Sequence, residues 1–435
     1  MLDLGLLLAQ LVVILLAARV AGRLVRPLGQ PPVIGEMIAG LALGPSLLGA
    51  LAPDALATLF PPDGLTPLAT LSQLGVLLFM FVVGLRLDLD VLRGRARAAV
   101  AVSHASIVAP FVLGVGLAPL LHGRLAPAGV GFVPFALFLG AAMSVTAFPV
   151  LARILAERGL LGSRIGTVAI AAAAVDDVTA WCILAAVVAV ARATSAGAGV
   201  DGAGGAATFA ITMLTTGVYV TAVATIGRRW LAGVAARRAR RSGAIDAAVI
   251  PRIVSLAVVA ALASAWVTEY LGVHALFGAF LAGAVVPRAT ASERVAGSPG
   301  LADALADRIE GVVAAVLLPV FFAFTGLRTS VALIGGGGLW ALFALILLAA
   351  VAGKIGGAAS AARLTGMPWR DSLAVGALMN TRGLMELVIL NVGLDIGVIS
   401  PTLFAMMVLM AIITTIMTSP LLGWIYHSRT GSAAS

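Results

Sequence analysis

The chain has 435 residues, of which 61% are hydrophobic and 11% charged, and its mean hydropathy is +1.11. A soluble protein carries about 25% charged residues, so the composition excludes a soluble domain and indicates a protein of the lipid bilayer. The net charge of +9 comes from arginines spread through short connections, which fits anionic lipid headgroups rather than nucleic acid. One cysteine and four histidines exclude a disulfide framework and a zinc site, and no cofactor is predicted.

Thirteen apolar runs are long enough to cross a bilayer as helices. The first follows Asp3, an acidic residue where a signal peptide would carry positive charge. The sequence therefore predicts an all-α polytopic membrane protein with about 13 transmembrane helices. The predicted runs are 1–23, 31–48, 66–86, 97–120, 130–156, 165–192, 207–226, 249–268, 271–288, 309–328, 334–362, 370–394 and 400–426.

Arginines alternate between the connections of these runs, as the positive-inside rule requires. The alternation predicts an N-terminus outside and a cytoplasmic C-terminus. The outer connections hold only Arg124, Arg192 and Arg328. The inner connections hold Arg23, Arg26, Arg93, Arg95, Arg97, Arg158, Arg164, Arg228, Arg229, Arg237, Arg238, Arg240, Arg241, Arg288, Arg294, Arg308, Arg363 and Arg370.

An odd number of runs predicts two six-helix halves of opposite orientation joined by one helix, the inverted-repeat plan of many secondary transporters. The first repeat would span about 1–192, the connecting helix about 207–226, and the second repeat about 249–426. Together they form one transmembrane domain, 1–428. Because the chain ends soon after the last run, no appended cytoplasmic regulatory domain is expected.

Two runs at equivalent positions of the two halves contain residues that interrupt a helix. In the fifth run, Pro149 follows the letters AAMSVTAF; in the twelfth, ALMNTRGLMEL (377–387) places polar residues and glycine inside an apolar stretch. Transporters of the inverted-repeat type build their midplane site from such interrupted helices. We therefore predict that the two interrupted helices cross at the site.

The sixth run carries two adjacent carboxylates, Asp176 and Asp177, far from either end. A charge at the bilayer centre costs roughly 2.5–3.5 kcal/mol, and such acids usually mark ion or proton pathways. Consecutive helical residues point about 100° apart, so one acid can line a cavity while the other faces a neighbouring helix. Lys354, the only lysine, lies within an apolar run and is either a partner for these acids or a lysine snorkelling from a helix end.

Five further polar residues lie at the interruptions. The hydroxyls of Ser144 and Thr146 have two possible roles. Either they ligate a cation together with backbone carbonyls that the interruption leaves without hydrogen bonds, or they form hydrogen bonds with those backbone groups. Arg382 and Glu386 are spaced i,i+4, which favours a structural pair over direct proton handling. Asn380 is expected to cap a half-helix.

Six motifs in the same order resemble the monovalent cation:proton antiporters, in the branch that includes two-aspartate bacterial sodium/proton antiporters and plant cation/proton exchangers. The last motif is closest to the plant-type members. The motifs are GQPPVIGEMIAGLALGPSLLG (29–49), FMFVVGLRLDLDVLR (79–93), SVTAFPVLARIL (144–155) with the VDD helix, FGAFLAGAVVP (277–287), PVFFAFTGLR (319–328) and NTRGLMELVILNVGLDIGVISPTLFAMMVLMA (380–411).

The resemblance implies a homodimer in a bacterial inner membrane, in which a core domain of helices from about 97–192 and 334–426 moves against a dimerisation domain. It implies that Asp177 binds a cation, Na⁺ or K⁺, and a proton in turn. It also implies that Asp176 pairs with Lys354. If that pair takes part in proton exchange, transport is electrogenic, with two protons per cation.

Several other functions compete with electrogenic antiport. An electroneutral K⁺/H⁺ exchanger remains open, and so does a proton-uncoupled cation channel, although interrupted helices fit a continuous pore poorly. The two intact aspartates and the lysine argue against an antiporter fold adapted to another substrate or to sensing. An intramembrane aspartyl protease also uses two buried acids, but it needs both on one water, hence on separate facing helices. The adjacent acids do not meet that requirement, so no enzymatic activity is expected.

Overall fold

The computed structural model of the chain describes residues 3–87, 96–161, 163–195, 203–227, 229, 233, 250–287 and 300–427. All regular elements in these ranges are helical, which confirms the all-α prediction. Some arginines of the predicted inner connections lie outside the described residues, namely Arg93, Arg95, Arg228, Arg237, Arg238, Arg240, Arg241, Arg288 and Arg294.

The helices are numbered in chain order. The helices up to residue 195 are α1 (Leu4–Val25), α2 (Pro32–Leu43), α3 (Leu48–Leu51), α4 (Pro53–Leu59), α5 (Leu65–Arg86), α6 (Ala96–Leu125), α7 (Phe132–Ser144), α8 (Phe148–Glu157) and α9 (Arg164–Ser195). The later helices are α10 (Ala203–Ala222), α11 (Ile250–Tyr270), α12 (Ala275–Ala284), α13 (Leu301–Val312), α14 (Leu318–Leu327), α15 (Gly337–Leu364), α16 (Trp369–Met379), α17 (Leu384–Asp395) and α18 (Pro401–His427).

Each of the predicted apolar runs overlaps a helix of the structure. Within the described residues, 10 helical stretches are long and apolar enough to cross a membrane, and the bent pair α16–α17 would make 11. Two shorter apolar stretches, Leu214–Gly227 and Ala275–Ala284, correspond to the seventh and ninth runs. The multi-pass architecture is therefore confirmed, whereas the count of thirteen and the inverted repeats stay predictions.

Both predicted helix interruptions are present. Helix α7 ends at Ser144 and α8 begins at Phe148, with Pro149 in its first turn, where the missing proline N–H breaks no helical hydrogen bond. Helices α16 and α17 are bent by 43° across their break. Gly383 in that break has φ of +154°, a backbone conformation that a residue with a side chain rarely adopts.

The two interrupted helices meet at their breaks. The backbone N–H of Ala147 donates to the carbonyl oxygen of Thr381 over 2.9 Å. The hydroxyl of Thr146 lies 3.1 Å from the carbonyl oxygen of Met379. Backbone groups freed by each break thus find partners in the other break, which is how irregular backbone is accommodated at membrane depth.

Close packing of α6 against α15 brings Lys354 toward the acidic helix. Gly353 and Gly357 flank Lys354 on α15, and a Cβ at Gly353 would lie only 2.8 Å from the Cα of Pro110. A Cβ at Gly357 would likewise collide with the carbonyl oxygen of Ala105. Small residues allow membrane helices to approach this closely, so these two glycines fix where the lysine side chain enters.

The chain divides into two compact units. The first comprises Met1–Leu65, Leu89–Val187 and Phe322–Ser435, and the second comprises Thr66–Asp88 and Val188–Phe321. The first unit contains both interrupted helices and every candidate site residue. Within the second unit, α5 and α12 are packed closely enough that a Cβ at Gly84 would meet the Cα of Gly283 at 3.0 Å.

Candidate functional site

Asp176 lies on α9 and is fully buried. Its Oδ1 accepts a hydrogen bond from the Ser103 hydroxyl at 2.7 Å, and the Ser106 hydroxyl lies 3.2 Å from both carboxylate oxygens. Its Oδ2 accepts from the Thr146 hydroxyl at 2.6 Å and from Lys354 Nζ at 3.2 Å. Side chains from α6, α15 and the first break therefore converge on one carboxylate and satisfy both of its oxygens.

Lys354 is held entirely inside the protein. Its side chain is 0% exposed, and its Nζ donates to Thr146 Oγ1 at 2.6 Å as well as to Asp176. A snorkelling lysine would carry its ammonium group to the membrane surface, so that alternative is wrong. Thr146 links the two charges, because its oxygen accepts from the lysine while its proton points to the aspartate.

Asp177 has a different environment from its neighbour. It is 2% exposed, and its Oδ1 is buried without a hydrogen-bond partner among the described residues. It interacts electrostatically with both Asp176 and Lys354. A buried carboxylate oxygen without a donor is unfavourable, and this one can be satisfied by a proton or by a cation.

The predicted pair of Arg382 and Glu386 is present and fully buried. Arg382 Nη1 lies 3.2 Å from Glu386 Oε2, and their side chains are 0% and 1% exposed. The guanidinium also donates to the carbonyl oxygens of Ala142 (3.3 Å) and Met143 (2.7 Å), at the C-terminal end of α7. Arg382 lies in the break before α17 rather than on it, and from there it satisfies carbonyls that α7 leaves free.

The remaining break residues act locally. The Ser144 hydroxyl lies 2.7 Å from the carbonyl oxygen of Gly140 on its own helix and 3.0 Å from that of Ile107 on α6. It therefore bonds to backbone carbonyls, and within the described residues no hydrogen bond joins it to either acid. Asn380 follows the last residue of α16 as its C-cap, and its side chain donates to the carbonyl oxygen of Thr414 at 3.4 Å. Its side chain therefore caps no helix N-terminus, and the residue before α17 is Gly383.

Sequence reasoning missed Ser103 and Ser106, which bind Asp176 from α6. Their i,i+3 spacing in an apolar run places both hydroxyls on one helix face, and this was the available signal. It was not decisive, because a serine in a membrane helix often bonds only to its own backbone. The Ser106 hydroxyl does lie 2.8 Å from the carbonyl oxygen of Ser103.

The two ion pairs and Asp177 form one electrostatic cluster. Lys354 interacts with Arg382 and Glu386 as well as with the two aspartates. With all five side chains ionised, three negative and two positive charges leave a net charge of −1. An uncompensated charge in the protein interior is strongly unfavourable, so the cluster is suited to take up one further positive charge, either a proton or a monovalent cation.

Spanning helices, two crossing interrupted helices and buried acids at their crossing together define a secondary transporter. The family model described as "Sodium/hydrogen exchanger, transmembrane" matches residues 12–426. The chain belongs to this family of antiporters, and it is a transporter rather than an enzyme.

Several named proteins are similar to this chain. The Na⁺/H⁺ antiporter NhaS4 of Synechocystis sp. is 42% identical over 97% of both chains. Cation/H⁺ antiporter 17 of Arabidopsis thaliana is 40% identical over 97% of this chain, and K⁺/H⁺ antiporter 1 of Saccharomyces cerevisiae is 32% identical over 91%. The chain spans about half the length of these two eukaryotic relatives, 48% and 44% respectively.

The fold is also similar to that of a solved structure. The sodium proton antiporter MjNhaP1 from Methanocaldococcus jannaschii aligns with a TM-score of 0.64 over 97% of this chain and 100% of its own. The sequences are 11% identical, so the likeness concerns the fold alone.

Proposed function

We propose that this protein exchanges Na⁺ or K⁺ for H⁺ by alternating access, with Asp177 as the residue that binds the cation and the proton in turn. The observation that carries the proposal is the buried Asp177 Oδ1 without a hydrogen-bond partner among the described residues, beside the paired Asp176 and Lys354. The names of the relatives support both cations, since they include Na⁺/H⁺ and K⁺/H⁺ antiporters.

Exchange follows from competition for one carboxylate. The ionised Asp177 binds a partly dehydrated cation and brings the cluster to zero net charge. A proton on Asp177 has the same effect on the charge and excludes the cation. While Lys354 keeps its proton, either occupant neutralises the cluster, and the loaded protein can change its exposed side without carrying an unpaired charge through the apolar interior. If Lys354 releases its proton as the cation binds, the cation-loaded cluster carries a net charge of −1.

The Asp176–Lys354 pair supplies a second proton. Lysine shifts its protonation readily when buried, whereas arginine stays charged. If opening of the pair coincides with cation binding, Lys354 releases a proton while Asp177 releases another. Two protons then move for each cation, and transport is electrogenic.

The larger assembly is also proposed. The protein would form a homodimer among membrane lipids in a bacterial inner membrane, with its N-terminus outside and its C-terminus in the cytoplasm. The two inverted repeats would supply a core that moves relative to a dimerisation domain. Movement of the crossing helices α7–α8 and α16–α17 would expose Asp177 to one side and then to the other.

Proteoliposomes with a trapped pH-sensitive dye test the proposal. A proton gradient is imposed, and Na⁺ is added outside with and without a voltage clamp of valinomycin and equal K⁺ on both sides. K⁺ is tested against choline without valinomycin. We expect added cation to collapse the gradient in wild type, Asp177→Asn to reduce the response to that of protein-free vesicles, and the clamp to change the rate.

Asp371→Asn is the matched control, because Asp371 is near Tyr426 and away from the cluster; this variant should transport like wild type. An Asp177→Asn variant that transports normally would contradict the proposal. A rate that is insensitive to the clamp would favour the electroneutral alternative. Cation flux without any coupled proton movement would favour the channel.

A further inference from the structure

A cavity lined by arginines lies apart from the acidic cluster. Its volume is about 360 Å³, within the range of small-ligand sites, and all of its lining lies in the first compact unit. The lining comes from the connection between α1 and α2, from α8 and from α18: Arg26, Gly29, Gln30, Arg153, Ile154, Arg158 and Ser419.

The cavity is strongly positive. Three guanidinium groups line it, and no carboxylate belongs to its lining. Arg153 has Glu36 within electrostatic reach. Arg158 donates to the carbonyl oxygen of Ser419 at 3.1 Å, and neither Arg158 nor Arg26 forms an ion pair within the described ranges.

Positive charge at this position is unfavourable for the transported cations. Each guanidinium repels Na⁺ or K⁺, and arginine cannot lose its proton. Guanidinium groups instead match the oxygens of phosphate groups, with which they form bidentate, charge-assisted hydrogen bonds. The lining is therefore suited to an oxyanion rather than to the passage of a cation.

Gln30, which lines the cavity, adds a second requirement. Gln30 is 7% exposed, and its Nε2 donates to the carbonyl oxygen of Ile416 at 3.0 Å, which fixes the orientation of the carboxamide. Its Oε1 is buried without a hydrogen-bond partner among the described residues. A ligand that also carries a hydroxyl would satisfy this acceptor, since a buried acceptor without a donor is costly.

We propose that this cavity binds an anionic phosphate ester that carries a hydroxyl, with its phosphate on Arg26, Arg153 and Arg158 and its hydroxyl on Gln30. Basic pockets between membrane helices bind lipid headgroups in this way. A soluble phosphate ester has the same chemistry. The site is independent of the cation site, and its occupant would join the α1–α2 connection to α8 and α18.

Thermal unfolding of the delipidated full-length protein in detergent, followed by tryptophan fluorescence, tests this site. The probes are phosphatidylglycerol, phosphatidylmethanol (the same charge without a headgroup hydroxyl), phosphatidylcholine, glycerol 3-phosphate and inorganic phosphate. A ligand that binds only the folded state raises the midpoint with its concentration. We expect phosphatidylglycerol or glycerol 3-phosphate to stabilise, and phosphatidylcholine to have no specific effect.

The decisive comparison uses two double variants that remove the same charge. Arg26→Gln with Arg158→Gln should raise the half-saturating concentration about tenfold or more, as expected for two lost charge-assisted hydrogen bonds. Arg23→Gln with Arg124→Gln changes two arginines outside the cavity. This variant should keep the half-saturating concentration within about twofold of the wild-type value. Arg26→Gln alone, at an exposed position, provides a milder variant should the double variant fail to fold.

Each result bears on the proposal. Stabilisation by phosphatidylglycerol alone identifies a lipid, whereas saturation by glycerol 3-phosphate or inorganic phosphate identifies a soluble ligand; both support the site. Equal responses of the two double variants, or no stabilisation by any phosphate-bearing probe, would overturn it. Equal binding of phosphatidylglycerol and phosphatidylmethanol would overturn the role of Gln30.

Discussion

Two buried ion pairs lie near the crossing of the interrupted helices, and they differ in what else they bind. Lys354 and Asp176 join α15 to α9, and the acid also accepts hydrogen bonds from serine and threonine hydroxyls. Arg382 and Glu386 are four residues apart, and the arginine donates to carbonyl oxygens of α7. The N–O distance is 3.2 Å in both pairs, so distance alone does not distinguish them.

The two pairs differ in whether the basic side chain can lose its proton and in the other groups that each pair contacts. In the proposed exchange Lys354 releases a proton, while the hydroxyls of Ser103 and Thr146 still donate to Asp176 and would stabilise the opened pair. Arg382 keeps its charge, and its removal would leave both Glu386 and the end of α7 without partners. We infer that the lysine pair belongs to exchange and the arginine pair to the structure of the crossing.

The largest effect on stability is expected for Arg382→Met. This change leaves Glu386 buried and unpaired and removes donors from two carbonyls of α7, and breaking a buried pair costs about 3–5 kcal/mol. Thermal unfolding in detergent should show a greater fall in midpoint than for any other single substitution at the crossing. The double variant Arg382→Met with Glu386→Met should recover part of the loss; an unchanged midpoint in the single variant would contradict the structural role.

Lys354→Ala should change transport more than stability. The hydroxyls of Ser103 and Thr146 continue to donate to Asp176, so the loss should be smaller than that for Arg382→Met. If the lysine supplies the second proton, residual exchange in proteoliposomes should become insensitive to the voltage clamp. Transport that keeps the wild-type response to voltage would show that the second proton comes from another group.

Thr146→Val tests the hydroxyl that links the lysine to the aspartate. Loss of a hydrogen bond to a charged group costs about 1.5–3 kcal/mol, and both charges lose a partner in this variant. We expect a clearly reduced exchange rate in the proteoliposome assay, with much of it restored in Thr146→Ser. Equal activity of valine and threonine at this position would remove Thr146 from the site.

The smallest effect is expected for Ser144→Ala, the matched change on the other side of the same break. Its hydroxyl donates to carbonyl groups that already belong to a helix, so its loss should cost about 0.5–1.5 kcal/mol. The exchange rate should equal that of wild type. A loss of exchange as large as that in Thr146→Val would contradict this prediction and show that exchange depends on both hydroxyls of the α7–α8 interruption.

The acidic helix and the interruptions could be predicted because each depends on local chemistry. Adjacent aspartates in an apolar run are costly wherever that run packs, and Pro149 and Gly383 interrupt a helix through their own backbone properties. The position of Lys354 in an apolar run likewise required a buried partner or a path to the surface, but the sequence left those two alternatives open.

The sequence by itself determined that this is a polytopic helical membrane protein with two acids in a spanning helix and two broken helices, because hydrophobicity and backbone restrictions act within short segments. Only the tertiary structure decided which hydroxyls serve the acid: Ser103 and Thr146 reach Asp176, whereas Ser144 bonds to backbone carbonyls of α7 and α6. The same holds for Arg382, whose partners on α7 lie 239 and 240 residues away in the chain. A hydroxyl or guanidinium bonds to whichever partner packing brings within reach, and packing depends on contacts between distant segments.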